Sequence, residues 1–205
     1  RIYRWNAGTA AWDQLGSDID GEAGYDFSGS SVSLSADGNT VAIGAHRNDG
    51  VYGQEAGHTR IYRWNVGTTA WDQLGGDIDG EAGVDRSGYS VSLSSDGNTV
   101  AIGAPKNEGV DGGGAHHGGD DDLGHTRIYR YNGWAWDQLG VDINGEAAGD
   151  HSGYSVSLSA DGNTVAIGAH YNDGVNGQDS GHTRIYHLVD NPLRLGAIRD
   201  VEPTG

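Results

Sequence analysis

Three acidic loops of nearly the same wording hold the residues best equipped for chemistry: DIDGEAGYD at 18–26, DIDGEAGVD at 77–85 and DINGEAAGD at 142–150. In the first, Asp18, Asp20, Glu22 and Asp26 are spaced so that alternate carboxylates can converge in an extended or curled loop. Asp77, Asp79, Glu81 and Asp85 repeat the set. Asp142, Asn144, Glu146 and Asp150 repeat it again, with the amide at 144 making that set the weakest. Hard oxygen ligands suit calcium, and Gly21 permits a sharp turn among them. The spacing is not that of an EF-hand, whose loop ends on a bidentate Glu. A structural reading stands beside the metal one: Asp side chains cap backbone amides and the rest are solvated.

Comparing the copies isolates positions that the scaffold does not dictate. Phe27, Arg86 and His151 occupy one such position, and Arg47, Lys106 and Tyr171 occupy another. Variable loop positions on a rigid frame are where ligand recognition would sit. His58, His125 and His182 recur in Gly-His-Thr, one per copy, which suits a structural hydrogen bond better than a metal site. Trp12, Trp71 and Trp136 also recur in register, as do Trp5, Trp64 and Tyr131. They read as packing between units, with a sugar-stacking platform as the alternative. In the insertion DGGGAHHGGDDDLG at 111–124, His116, His117 and Asp120 to Asp122 are competent metal ligands, but six glycines make ordering them costly in entropy.

The acidic excess leaves a formal charge of −17 and argues against a nucleic-acid partner, which would need a basic face. No apolar run is long enough to span a membrane as a helix. Zero cysteines exclude disulfides and thiolate chemistry. With 37 glycines, 3 prolines and about a third of residues apolar, the composition suits short strands joined by tight turns. The chain opens at Arg1 inside a repeat, which reads as a processed product or a piece of something longer.

The elements that must position these loops repeat as well. SGSSVSLSADGNTVAIGAH at 28–46, SGYSVSLSSDGNTVAIGAP at 87–105 and SGYSVSLSADGNTVAIGAH at 152–170 each read as a hairpin. Val156 and Leu158 alternate with serines, Val165 and Ile167 continue the pattern, and Asp161-Gly162 makes the tight turn. RIYRWN recurs at 1 and 60, as RIYRYN at 127 and as RIYHLV at 184. Once an insertion of 8 residues before His125 and a deletion of 2 in YNGWAW are removed, the period is 59 throughout. A unit of that length, holding four strands, is the size of a propeller blade.

The expected fold is therefore all-β. It is a β-propeller of four-stranded blades, about three and a half of them: a part-blade at 1–27, blades at 28–86, 87–151 and 152–187, and a divergent strand or tail at 188–205. The run at 87–105 resembles the FG-GAP repeat of integrin α-subunit propellers. Ser87-Gly88 stands at that motif's Phe-Gly, and Gly103-Ala104-Pro105 matches its Gly-Ala-Pro. The resemblance implies an extracellular propeller. The family's calcium loop is not carried over, because here it has shrunk to Asp37-Gly38-Asn39, Asp96-Gly97-Asn98 and Asp161-Gly162-Asn163, too few oxygens for calcium.

Closed propellers usually have about 4 to 8 blades, so this number of strands predicts open edges that invite association. The expected role is that of an extracellular structural or adhesive protein without enzymatic activity. It would associate with itself or with further blades, helped by calcium. Glycan binding is the alternative, and an extracellular protein is another candidate partner. A sialidase-like hydrolase is a third reading, but Arg60, Arg127 and Arg184 lie on repeated strands, which suits architecture better than a single active site.

Overall fold

The computed structural model describes residues 1–108, 122–191 and 194–200, and no α-helix occurs among them. Sixteen strands follow in order. They are β1 (Tyr3–Asn6), β2 (Ala11–Gln14), β3 (Ser31–Leu34), β4 (Thr40–Ala45), β5 (His58–Asn65), β6 (Ala70–Gln73), β7 (Ile78–Asp79) and β8 (Ser90–Leu93). After them come β9 (Thr99–Ala104), β10 (His125–Tyr131), β11 (Trp136–Gln138), β12 (Ile143–Asn144), β13 (Ser155–Leu158), β14 (Thr164–Ala169), β15 (His182–Asn191) and β16 (Arg194–Asp200). The pairing is antiparallel and blade-like: β3-β4-β5-β6, β8-β9-β10-β11 and β13-β14-β15-β16, with β1-β2 as a separate pair. Short β7 and β12 pair onto the starts of β5 and β10. The polar stretch after the fourth strand thus contributes a strand of its own. The segment left open as strand or tail enters the last sheet as β16, in register with β15.

The inner hairpins form for the reasons legible in their alternation. Val91 faces Ile102 and Leu93 faces Val100, all on one side of the sheet. At the turn, Ser94 Oγ donates to Asp96 Oδ1 at 2.6 Å, and the Asn98 amide donates to the same oxygen at 3.0 Å. The Thr99 amide closes back on Ser94 Oγ at 3.0 Å. In the equivalent turn of the first blade, the Ser35 hydroxyl holds the Asp37 carboxyl below its ordinary range. These aspartates are turn-builders.

Blades stack face to face. Ala42, Ile61 and Ile78 of the first complete blade meet Val91, Leu93, Val100, Ile102 and Tyr129 of the next. Ala101, Ile128 and Ile143 meet Val165, Ile167 and Tyr186 in the same way. Each such aliphatic side chain contributes about 1.5–3 kcal/mol when fully buried. Trp71 Nε1 donates to the Leu15 carbonyl at 2.8 Å and Trp136 Nε1 to the Leu74 carbonyl at 2.7 Å, so these rings bind neighbouring units together. On the inner strands, the Leu93 amide donates to Ser33 Oγ and the Leu158 amide to Ser92 Oγ, both at 2.9 Å. The serines that alternate with the apolar residues thus carry hydrogen bonds between blades.

The two ends of the array lack these partners. Val32 is 63% exposed and Leu34 51%, whereas their counterparts Val91 and Leu93 are 9% and 7% exposed. At the other end, Ile185 is 46% exposed where Ile61 is fully buried.

One of the strained backbone positions recurs in the acidic loops. Tyr25, Val84 and Gly149 occupy the same place in the acidic loops with φ of +72°, +67° and +84°. A β-branched residue in the left-handed region costs about 1–2 kcal/mol relative to glycine. Val84→Gly is therefore expected to raise stability by about 1 kcal/mol, part of the relief being offset by the freedom glycine adds to the unfolded chain. Urea unfolding midpoints of the two chains would read it; a lower midpoint for the glycine form would refute it.

Candidate functional site

Each acidic loop leaves one blade and crosses to the next. A buried arginine fixes the crossing: Arg60 Nη2 donates to the Asp20 carbonyl and Arg127 Nη2 to the Asp79 carbonyl, both at 2.7 Å. With the loop so held, its ligand candidates divide into four groups. Asp26, Asp85 and Asp150 turn inward, accepting from the amides of Ala23, Ala82 and Ala147 at 2.9–3.0 Å. The side-chain amides of Asn48, Asn107 and Asn172 donate to the same carboxylates. These three acids are structural caps, and burial raises the Asp85 carboxyl above its ordinary range.

Asp18, Asp77 and Asp142 accept from Gln14, Gln73 and Gln138 at 2.6–2.8 Å, and Arg1 adds a second bond to Asp18 at 2.9 Å. Asp79 and Asn144 lie on the short strands, opposite His58 and His125. Glu22, Glu81 and Glu146 reach across to the next blade. Glu22 Oε2 lies 3.7 Å from His58 Nδ1, and Glu22 Oε1 lies 3.6 Å from Arg60 Nη1. Glu81 stands likewise to His125 (3.9 Å) and Arg127 (3.4 Å). Glu146 repeats the pattern with His182 (3.4 Å) and Arg184 (3.6 Å). The four ligands of one loop are not gathered into a single oxygen cage. Instead, among the described residues, two groups able to hold a metal form between blades: Glu22, His58 and Asp77, and Glu81, His125 and Asp142. Two of the histidines read from sequence as structural, His58 and His125, belong to these groups. Their register with the acidic loops was the signal available for finding them.

The six variable residues do come together in pairs. Arg47 stands over the Phe27 ring at 5.0 Å, and the His151 and Tyr171 rings meet at 5.1 Å. Arg47 and Arg86 share Glu55, at 3.7 and 2.8 Å. Lys106 and His151 share Asp122, at 2.9 and 3.5 Å. Of the insertion, His116, His117, Asp120 and Asp121 lie outside the described residues.

These pairs flank an aromatic band that sequence reading missed. Phe27 meets His46 (5.9 Å), His46 meets Tyr89 (5.3 Å), Tyr89 meets Tyr154 (4.9 Å) and Tyr154 meets His170 (3.9 Å). His170 then meets Tyr171, also at 3.9 Å. The band crosses three blades. Burial, with Arg86 and Arg47 nearby, depresses the basicity of His46 and favours its neutral ring.

Elsewhere, a cleft of about 610 Å³ opens between adjacent blades, lined by Tyr52, Asp77, Asp79, Glu81, Arg127, Tyr129 and Trp136. It joins the two metal-competent groups, since Asp77 belongs to one and Glu81 to the other.

Residues 144–186 match the FG-GAP repeat family. The earlier copies share the wording of that segment, and the fold is the propeller type that the resemblance implied. No curated protein matches the chain by sequence. Among solved structures, a candidate 6-phosphogluconolactonase from Bacteroides uniformis is similar in fold, with 12% identity and a TM-score of 0.52. The match covers 85% of this chain and 41% of that one, so this chain spans under half of its length. Kuenenia stuttgartiensis hydrazine synthase matches at 10% identity and TM-score 0.42, over 83% of this chain and 36% of that one. The periplasmic gluconolactonase of Pseudomonas aeruginosa matches at 14% and 0.36, over 99% and 64%.

The expectation of a chain without enzymatic activity is corrected here. A protein solved as a candidate lactonase shares this fold, so a repetitive propeller architecture gives no ground for excluding catalysis. The three arginines considered for a hydrolase each engage the acidic loop reaching them from the preceding unit.

Proposed function

We propose that this FG-GAP repeat chain serves an extracellular adhesive role and associates through its own blades, its acidic loops drawing divalent cations, calcium among them. The observation that carries this reading is the exposure of Val32 and Leu34 at one end, where the equivalent Val91 and Leu93 are buried and Val156 and Leu158 are partly buried. Exposed strand edges with apolar faces are surfaces that pair with another chain. A second copy supplies the matching chemistry, because its blades are built from the same faces. The charge of −17 makes such contacts sensitive to cations that relieve self-repulsion.

Light scattering with calcium, and again with chelator, tests the reading. The unmodified chain is expected to run above monomer mass, and Val32→Lys with Leu34→Lys is expected to return it to monomer. Assemblies that dissolve in chelator support the calcium component; assemblies that persist remove it. A monomer in both conditions sinks the proposal.

A second reading, glycan recognition, is favoured by the aromatic band and by Trp136 and Tyr129 beside carboxylates in the cleft. Aromatic faces with convergent polar groups are the chemistry of a sugar site.

A further inference from the structure

We propose that the groups Glu22–His58–Asp77 and Glu81–His125–Asp142 are binding sites for a borderline divalent metal ion, zinc or manganese rather than calcium, each completed across a seam between blades. Three observations point there.

First, the ligand atoms of each group already lie within 4.8 Å of one another. His58 Nδ1 is 3.7 Å from Glu22 Oε2 and 4.0 Å from Asp77 Oδ2, and His125 Nδ1 is 3.9 Å from Glu81 Oε2. A tetrahedral ion with bonds of about 2.0–2.2 Å sets its ligand atoms about 3.4 Å apart. Closing the sites therefore asks for ligand atoms to approach one another by no more than about 1.4 Å.

Second, His125 is 1% exposed, and its Nδ1, the nitrogen directed at Glu81, has no hydrogen-bond partner. A buried polar atom left unpaired costs about 1–3 kcal/mol, which an ion bound through that lone pair would remove. At His58 the nitrogen facing the carboxylates is again Nδ1, while Nε2 is the one buried without a partner. The second group is thus the better formed of the two.

Third, the charges suit a divalent ion. Two carboxylates and a neutral imidazole supply two negative charges. The arginine nearest each site contacts the other oxygen of the glutamate, Oε1, and leaves Oε2 turned toward the histidine. Imidazole with carboxylate selects zinc, manganese and their neighbours, whereas calcium takes about six to eight oxygens. Three protein ligands leave a position free for water or a ligand, and Asp77 and Glu81 both border the cleft. At the third repeat, His182 and Glu146 stand together, but no third metal-competent group forms among the described residues.

The test is metal uptake by the untagged full chain after stripping with chelator, using equilibrium dialysis against zinc, manganese or calcium followed by elemental analysis. Two equivalents of zinc per chain are expected, one for each group, and a tenfold excess of calcium should leave them in place. Glu81→Gln and His125→Gln should each lose one equivalent, Glu22→Gln and His58→Gln the other. The glutamates are half-exposed and their isosteric amides leave the packing alone, so they decide the matter should a histidine variant fail to fold. No retained zinc in the unmodified chain, or two equivalents surviving in the Glu22→Gln, Glu81→Gln double variant, would overturn the proposal. A monomer that still takes up zinc would refute self-association and leave these sites standing.

Discussion

Gly103→Ala is expected to destabilise the chain by about 3 kcal/mol or more, far beyond an ordinary surface substitution. Gly103 lies on β9, where the inner strands of neighbouring blades press together. A methyl group there would overlap the Gly153 carbonyl oxygen of the next blade and Ser90 Oγ, and would sit 2.9 Å from the Gly153 carbonyl carbon. The serine can rotate away; the backbone carbonyl cannot yield unless the blades part. Parting them would break the Ser90 Oγ bond to that same carbonyl, 2.8 Å long, and loosen the apolar faces beneath.

The molecule contains its own control. Gly168 holds the same place in the last complete hairpin, where an added methyl meets the Ser155 side chain at close range but no neighbouring blade. Gly168→Ala should cost about 1 kcal/mol or less, alanine's lower backbone entropy offsetting part of the adjustment. Urea unfolding of the two variants measures the contrast. Equal losses would mean that the blades do not pack as closely as described.

Acidification of the metal-free chain is the second large effect. Burial, reinforced by the Arg127 charge and opposed by Asp142, pushes His125 down to about 4. In the unfolded chain its pKa returns to about 6.5. Between those values the unfolded state binds a proton that the folded state refuses, so stability falls as pH drops from about 6.5 towards 4 and then levels off. The gap corresponds to about 3 kcal/mol. Thermal midpoints in chelator across pH 4–7 should fall accordingly, and His125→Gln should flatten that part of the profile. A midpoint that holds steady through the window would mean that the imidazole is protonated in the fold.

How much of this was legible beforehand depends on which residues had to meet. The hairpins could be read because Val91 and Leu93 alternate with serines and Asp96-Gly97 marks the reversal, all within fifteen residues. The blade period followed from RIYRWN and its copies. The acidic loops were visible as groups, but spacing alone could not separate Asp26, which turns back to its own amides, from Glu22, which crosses to His58. That division is made by Arg60, which holds the loop from another strand. The aromatic band was hidden for a similar reason, since its rings come from different copies. Aligning Tyr89 with Tyr154, and His46 with His170, was the signal available for finding it.

The hydrogen bonds between blades have a further consequence. Trp71 to Leu15 spans 56 residues, Leu93 to Ser33 spans 60, Trp136 to Leu74 spans 62 and Leu158 to Ser92 spans 66. Each contact reaches back about one unit and no further. Duplicating one stretch of coding sequence therefore duplicates a blade together with both halves of its interface, and excising one removes them together. Array length is free to drift by whole units under selection, while insertions of any other size must fall between strands.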